Sequence, residues 1–134
     1  MTPVSRRLVE AAARARLRAV APFSKFKVGA ALLTPTGEVI TGANVESASY
    51  GLTCCAERVA LFTALTRGEK NFNGLAVVAR TPGGPMTCGA CRQLLSEYAP
   101  DAKVWVADSR ALGSVREFSV RELLPRPFRF QTGR

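Results

Sequence analysis

The sequence predicts an α/β fold: a three-layer α/β/α sandwich with helices on both faces of a mixed sheet of about five strands. Three observations support this prediction. Two β-branched segments, 28–33 and 38–45, are separated by a Pro/Gly turn and predict a hairpin. Later strand segments alternate with helical segments, which is typical of strands and helices that share one core. The segment 74–79 is apolar throughout, as in a strand covered on both faces.

The elements follow in chain order. A first helix is predicted over 4–20, because this segment lacks Gly and Pro and carries an apolar stripe; Ser5 is its candidate N-cap and Pro22 stops it. After the hairpin we expect a helix over 57–67, a strand over 74–79, a helix over 90–98, a strand over 103–107, a short strand over 115–120 and a short helix over 121–124. Residues 1–134 are predicted to form one domain with a loose C-terminal tail over 126–134.

The composition excludes several classes of protein. The chain has no histidine, so Ser-His-Asp and Cys-His catalysis and histidine-liganded metal sites are excluded. The net charge of +9 would attract phosphates or nucleic acid, but the arginines are scattered, and we expect no nucleic-acid partner. Segments without charge reach only about ten residues, short of the ~18 that a membrane helix needs. No signal peptide is evident, so we expect a cytoplasmic protein with reduced thiols and no membrane partner.

The four cysteines form two clusters, Cys54-Cys55 and Cys88-x-x-Cys91, each just before a predicted helix. A helix N-terminus favours the thiolate, which is the form of cysteine that binds metal. Two disulfides, a redox dithiol and a zinc site are the competing interpretations. The disulfides are disfavoured by a reducing compartment and a strained vicinal pair, and the dithiol leaves one cluster unexplained. We favour zinc, because Cys-x-x-Cys suits two tetrahedral ligands and the other cluster supplies a third.

The number of ligands separates structural from catalytic zinc. Four thiolates would close a structural site, but the adjacent Cys54 and Cys55 cannot easily turn to one ion. We therefore expect three thiolates and one position for water. Glu57, in the first turn of the following helix, is placed to take a proton from that water. Alone it would be ordinary helix-dipole complementarity, whereas beside two cysteine motifs it indicates proton transfer.

These residues resemble the zinc-dependent nucleobase deaminases, whose signature joins His-x-Glu or Cys-x-Glu to Pro-Cys-x-x-Cys. Segments 55–58 (Cys-Ala-Glu-Arg) and 88–93 (Cys-Gly-Ala-Cys-Arg-Gln) fit the all-cysteine form. Segments 26–32, 44–51 and 122–128 extend the similarity to the homotetrameric cytidine deaminases. The resemblance implies one zinc ion per chain, hydrolysis of cytidine and 2′-deoxycytidine to uridine and 2′-deoxyuridine in pyrimidine salvage, and active sites shared between the subunits of a tetramer.

The resemblance also assigns roles to residues. The implied zinc ligands are Cys55, Cys88 and Cys91, with Glu57 as the proton shuttle. Three thiolates leave the zinc centre negatively charged and a weak Lewis acid, so we expect Arg58 to hydrogen-bond them and offset their charge. The implied substrate contacts are Phe26 on the pyrimidine ring, Asn44 and Glu46 on the ribose 3′-hydroxyl, the N–H of Ala56 on ring O2, and Ala48, Tyr50 and Phe128 reaching the 5′ end from a neighbouring subunit.

The sequence departs from the family pattern at three positions. Ala43 stands where Cys is frequent, Ser47 where Asn is usual and Thr87 where Pro is usual. None of the three is an implied ligand, but without proline the loop before Cys88 is predicted to be less rigid. Cys54 matches no ligand and is expected to pack as a small hydrophobic residue.

Four other functions remain open at this point. A deaminase of another aminopyrimidine, such as blasticidin S, is disfavoured because Asn44-x-Glu46 indicates a nucleoside sugar. A deaminase of RNA or DNA is disfavoured by the absence of histidine. A non-enzymatic zinc module would need four thiolates and leaves Glu57 without a task. A dithiol oxidoreductase would form a Cys88–Cys91 disulfide and hold no metal.

Overall fold

The structure is a computed structural model, and it describes residues 1–130. Every helix and strand predicted from the sequence is present, and most ends lie close to the predicted ones. None of the helices in these residues is long and apolar enough to cross a membrane. The elements in chain order are α1 (Pro3–Arg16), β1 (Val28–Leu33), β2 (Val39–Ala43), a 3₁₀ helix (Tyr50–Leu52), α2 (Ala56–Thr66), β3 (Gly74–Ala79), α3 (Gly89–Tyr98), β4 (Lys103–Asp108), β5 (Val115–Ser119) and α4 (Val120–Leu123).

The five strands form one mixed sheet in the order β2-β1-β3-β4-β5. β1 pairs antiparallel with both β2 and β3, β3 pairs parallel with β4, and β4 pairs antiparallel with β5. The predicted mixed sheet of five strands is confirmed. Because β2, β3 and β4 run in the same direction, their carboxyl ends lie at one end of the sheet, and the chain enters α2 and α3 from that end.

Both faces of the sheet are covered, because successive strand residues point to opposite sides. In β1, Ala30 and Leu32 pack on one face with Leu61 of α2 and Leu95 of α3. Their neighbours Ala31 and Leu33 pack on the other face with α1. The three layers are therefore α1, the sheet, and α2 with α3, as expected from the apolar segments.

The first helix is shorter than the predicted 4–20. It begins at Pro3, and its N-cap is Thr2 rather than Ser5: the Ser5 N–H donates to Thr2 Oγ1 at 3.1 Å, and the Thr2 N–H donates to Ser5 Oγ at 3.0 Å. Proline suits the first helical position because its φ is already helical and its missing N–H needs no partner there. The helix ends at Arg16, four residues before the predicted end. The Val20 N–H instead donates to Asn44 O at 2.9 Å, which joins this segment to the one that follows β2.

Two glycines set how closely the helices approach the sheet. A Cβ at Gly29 of β1 would lie 2.0 Å from Ala12 O of α1. A Cβ at Gly42 of β2 would lie 2.4 Å from Ala60 N of α2. Both contacts are with backbone atoms, so α1 and α2 sit against the sheet at distances that only glycine permits.

The C-terminal segment after α4 has no helix or strand up to Phe130. It contacts the rest of the chain where Gln93 Nε2 of α3 donates to Phe128 O at 2.8 Å. The predicted tail spans 126–134, and its last part, residues 131–134, lies outside the described residues.

Candidate metal centre

Three cysteine sulfurs meet where α2 and α3 begin. Cys55 is the N-cap of α2, Cys88 is the N-cap of α3, and Cys91 lies in the first turn of α3. The Sγ atoms of Cys55 and Cys88 are 3.8 Å apart, those of Cys88 and Cys91 are 3.4 Å apart, and all three lie within 4.8 Å of one another. Tetrahedral zinc with Zn–S bonds of about 2.3 Å spaces its sulfurs about 3.8 Å apart. The three residues therefore fit a zinc ion.

The sheet topology brings these distant residues together. Cys55 follows β2 and Cys88 follows β3, two strands whose carboxyl ends lie at the same end of the sheet. Both helices point their N-termini at the cluster, so their positive ends favour the thiolate form of the sulfurs. A fourth cysteine, Cys54, pairs instead through its backbone with Val45, at N···O distances of 2.9 and 3.0 Å. Its side chain is half-buried, and burial raises the pKa of its thiol.

Hydrogen bonds make one cysteine of the cluster strongly acidic. A contact with the Cys91 thiol, helped by the Arg58 guanidinium, lowers the pKa of Cys55 to about 5. The same contact and burial raise the pKa of Cys91. Because zinc takes its cysteine ligands as thiolates, binding would release the proton that Cys91 holds.

Arg58, in the first turn of α2, contacts the cysteine cluster. Its Nη2 lies 3.3 Å from Cys55 Sγ and 3.4 Å from Thr53 O. Its Nε is buried and has no hydrogen-bond acceptor in residues 1–130. The guanidinium thus places positive charge against the Cys55 sulfur.

Glu57 is a buried acid in the first turn of α2. Only 5% of its surface is exposed, and burial raises its pKa to about 7. The negative charge of Cys55 also acts to raise this pKa, while a hydrogen bond from the backbone N–H of Glu57 itself and the charge of Arg58 act to lower it. A carboxyl with a pKa near neutrality can both accept and donate a proton at physiological pH, which is what a general acid–base group requires.

The predicted sugar-binding residues, Asn44 and Glu46, lie beside Cys54, the residue that precedes the N-cap of α2. Val45, between Asn44 and Glu46, pairs through its backbone with Cys54. On the other side, the backbones of Asn44 and Glu46 pair with Val20. Asn44 is 8% exposed, and its amide bridges the Phe26 carbonyl and the Val28 N–H at 2.9 and 2.8 Å. The structure thus uses the Asn44 amide to hold the segment that carries Phe26, a role the sequence did not predict.

Glu46 is anchored through contacts that the sequence analysis missed. Its carboxylate accepts the backbone N–H groups of Phe23 and Ser24 at 3.0 and 3.1 Å, and it also accepts the Ser24 hydroxyl. These bonds with Ser24 hold the pKa of Glu46 below its usual value. The pairing joins two loops 22 residues apart in sequence, and no local sequence motif predicts it. A cavity of about 430 Å³ opens here, lined by Phe23, Ser24, Glu46, Ser47, Tyr50 and Thr53.

Most of the remaining residues predicted to contact substrate have exposed side chains in the described part of the chain. Tyr50 is 89% exposed and Phe128 is 70% exposed, while Phe26 is also accessible. Ala48 precedes the 3₁₀ helix and is exposed. Ala56 is fully buried as the first residue of α2, a position whose N–H has no partner within the helix.

Arg92 binds Thr87, the residue before Cys88, where the sequence analysis noted the departure from proline. Thr87 is 3% exposed, and Arg92 Nε donates to its carbonyl at 2.8 Å and lies 3.3 Å from its hydroxyl. Arg92 Nη1 also donates to Leu123 O at 2.9 Å. The sequence analysis included Arg92 in a motif but gave it no task.

The fold and the centre together define a zinc enzyme of the α/β class. Residues 3–107 match the family described as the cytidine and deoxycytidylate deaminase zinc-binding region. The chain therefore belongs to the cytidine and deoxycytidylate deaminase family, and zinc is its cofactor.

Similar proteins cover almost the whole chain. A cytidine deaminase of Halalkalibacterium halodurans is 49% identical over 122 residues, which span 90% of this chain and 91% of that protein. The crystal structure of cytidine deaminase from Burkholderia pseudomallei superposes with a TM-score of 0.88 at 49% identity, covering 96% of this chain and all (100%) of that one. A blasticidin-S deaminase of Bacillus cereus is more distant, at 33% identity over 110 residues and 76% of each chain.

Proposed function

We propose that this chain catalyses the hydrolytic deamination of cytidine and 2′-deoxycytidine, giving uridine and 2′-deoxyuridine with release of ammonia. The observation that carries the proposal is the three-cysteine cluster with Glu57 buried beside it, in a chain that is 49% identical to a cytidine deaminase over 90% of its length. Such a reaction belongs to pyrimidine salvage.

Each residue of the centre has a chemical task in this reaction. Cys55, Cys88 and Cys91 hold zinc, which when bound acts as a Lewis acid and lowers the pKa of a water molecule. Glu57 accepts a proton from the attacking water and delivers it to ring N3 as the new C–O bond forms at C4. Glu57 then transfers the second water proton to the exocyclic nitrogen, so that the C4–N bond breaks and ammonia leaves.

The substrate contacts are proposed from the same geometry. Asn44 keeps one N–H free beyond its two backbone bonds, and Glu46 remains ionised, so both can bind a ribose hydroxyl. Phe26 stacks on the pyrimidine, and the N–H of Ala56 donates to ring O2. None of these contacts involves the 2′ position, so both nucleosides are expected to react.

We further propose a homotetramer in which Ala48, Tyr50 and Phe128 complete a neighbour's site. The exposed rings of Tyr50 and Phe128 support this, because each leaves a large aromatic surface available to a neighbouring chain. The proposed location is the cytoplasm, where reducing conditions keep the three ligand thiols free for zinc.

The decisive experiment measures the ultraviolet absorbance of cytidine with zinc-loaded protein and with its Glu57→Gln variant. We expect the cytidine band to fall with release of ammonia, and kcat of the variant to drop by about 10²–10⁴-fold, the usual contribution of a general acid–base group. Glu10→Gln, on the opposite face of the sheet, serves as the control. Zinc content should be unchanged in both variants. No turnover by zinc-loaded wild type would reject cytidine as the substrate.

A substrate panel tests the nucleoside part of the proposal. We expect CMP to react poorly, because its 5′-phosphate would have to fit where Tyr50 of a neighbour closes the site. Comparable kcat/KM for CMP would contradict this arrangement. Blasticidin S belongs in the panel because a blasticidin-S deaminase is 33% identical to this chain, and faster turnover of blasticidin S than of cytidine would reassign the substrate.

A further inference from the structure

The three cysteines are held in unequal ways. Cys91 is buried in the core, and Cys55 is half-buried at the start of α2, but Cys88 is exposed. Core packing therefore does not fix Cys88. Its position depends on the first turn of α3, where the Cys91 N–H donates to Cys88 Sγ at 3.4 Å, and on the ligand loop, residues 80–87, which connects β3 to α3.

Two arginine side chains hold this ligand loop, one at its end next to Cys88 and one in its middle. At the end next to Cys88, Arg92 binds the Thr87 carbonyl, as described above. In the middle, Arg116 of β5 donates from Nε to Gly83 O at 2.8 Å and from Nη2 to Gly84 O at 3.4 Å. The same Nη2 lies 3.7 Å from Met86 Sδ.

The middle of the ligand loop has little else to fix it. Gly83 and Gly84 have φ values of +77° and +84°, a backbone conformation that favours glycine. Neither has a side chain to pack, although Gly84 lies so close to the sheet that a Cβ there would be 2.6 Å from Ala107 N. One backbone hydrogen bond, from the Gly84 N–H to Thr81 O at 3.0 Å, closes a turn within the loop, and the Arg116 bonds together with the close approach at Gly84 join the loop to the sheet.

Arg116 is itself well placed to act as an anchor. Its backbone pairs with Val106 of β4 in the antiparallel ladder, so its Cα is fixed to the sheet. Its guanidinium lies 5.7 Å from the centroid of the Phe118 ring. Within residues 1–130 no carboxylate forms an ion pair with it, so its donors are directed to the loop carbonyls.

We propose that Arg116 is a positioning residue of the metal centre: by binding the carbonyls of Gly83 and Gly84 it fixes the ligand loop and thereby Cys88. This inference rests on the zinc site of the proposed function. It differs from that function in what it predicts, because Arg116 touches neither the metal nor the substrate. Its removal should loosen one ligand while leaving the residues that bind substrate unchanged.

The test follows zinc transfer from the holoenzyme to an excess of a chromophoric chelator. We expect Arg116→Ala to release zinc about tenfold faster than wild type, within the range found for residues that support metal ligands. Arg116→Lys keeps one donor for Gly83 O and should be intermediate. Arg67→Ala is the matched control, because Arg67 also joins two elements through its contact with Glu38 but lies at the far end of α2. It should release zinc at the wild-type rate.

A second readout separates positioning from general destabilisation. In cobalt-substituted protein, the thiolate-to-metal absorption band of Arg116→Ala should shift, while its thermal midpoint in excess chelator should match that of wild type. Three results would overturn the proposal: zinc release from Arg116→Ala at the wild-type rate, equally fast zinc release from Arg67→Ala, or a cobalt absorption band that does not shift in Arg116→Ala. If Arg116→Ala does not fold, Arg116→Lys decides between faster and unchanged release. If the wild-type protein binds zinc but does not deaminate cytidine, the proposed function is rejected, whereas the inference about Arg116 is not.

Discussion

One guanidinium provides the positive charge nearest to the sulfurs of the metal centre. Arg58 contacts Cys55 Sγ at 3.3 Å, on the side of the cluster where α2 begins. Three thiolates give zinc more negative charge than neutral imidazoles would, so this contact should both retain the metal and preserve its power as a Lewis acid.

Replacement of Arg58 tests this compensation. We expect Arg58→Ala to lose about 10–100-fold in zinc affinity or in turnover, the usual effect of removing a partner of a metal ligand. Zinc content by atomic absorption and kcat for cytidine are the measurements, with Arg121→Ala, an exposed cation paired to Asp101, as the control. Full activity together with full zinc occupancy in Arg58→Ala would refute the idea.

A second residue-scale prediction concerns pH. Arg110 holds the pKa of Asp108 below its usual value through a two-point contact at 2.7–3.2 Å. A carboxyl with a lowered folded-state pKa stabilises the protein above its unfolded-state pKa of about 3.9, and this contribution is lost as pH falls through the folded-state pKa. The free energies of unfolding of wild type and Arg110→Ala should therefore differ at pH 7 and converge under acid conditions. A gap that stays constant into acid would contradict this linkage.

The sequence predicts the roles of some site residues but not the hydrogen bonds of others. The zinc ligands and Glu57 belong to short motifs with fixed spacing, and the structure brings the three sulfurs together as expected. The bonds from Ser24 to Glu46 and from Arg116 to Gly83 join segments 22 and 33 residues apart. Such pairs depend on how loops meet after folding, and neither partner's local sequence contains that information.

At the scale of elements, prediction succeeded where one physical signal dominates. The continuous apolar segment of β3 is present at the predicted residues. The first helix was predicted too long because residues 17–20 have helical composition, whereas Val20 forms tertiary hydrogen bonds with Asn44 and Glu46. Its N-cap was misassigned because Thr2 and Ser5 are both good caps, although Pro3 after Thr2 is the better signal.

The contact between α1 and the sheet makes an element-scale prediction. Gly29→Ala would bring a methyl group against Ala12 O, so α1 must shift and stability should fall by about 1–3 kcal/mol or more. Gly113→Ala is the matched control, because a Cβ there meets nothing within 4 Å. Chemical denaturation measures both. A loss in Gly29→Ala no larger than that in the control would mean that α1 adjusts without cost.

At the scale of the whole molecule, the exposed rings predict a shared active site. If Tyr50 serves a neighbour, chains with Tyr50→Ala and chains with Glu57→Gln should each be poorly active alone. Mixed oligomers should regain activity, because a chain with intact Glu57 can receive Tyr50 from its neighbour. Light scattering should show four chain masses in each variant. Absence of recovery in mixed tetramers would place both residues in one subunit's site.

The two cysteine clusters lie 33 residues apart in sequence, and zinc joins them. The three ligands come together in the folded chain, so the free energy of zinc binding adds to the free energy of unfolding. The lifetime of the protein in a cell should therefore depend on the supply of free zinc. Zinc starvation would make the chain more susceptible to proteases, so that the amount of enzyme reports the metal status of the cell.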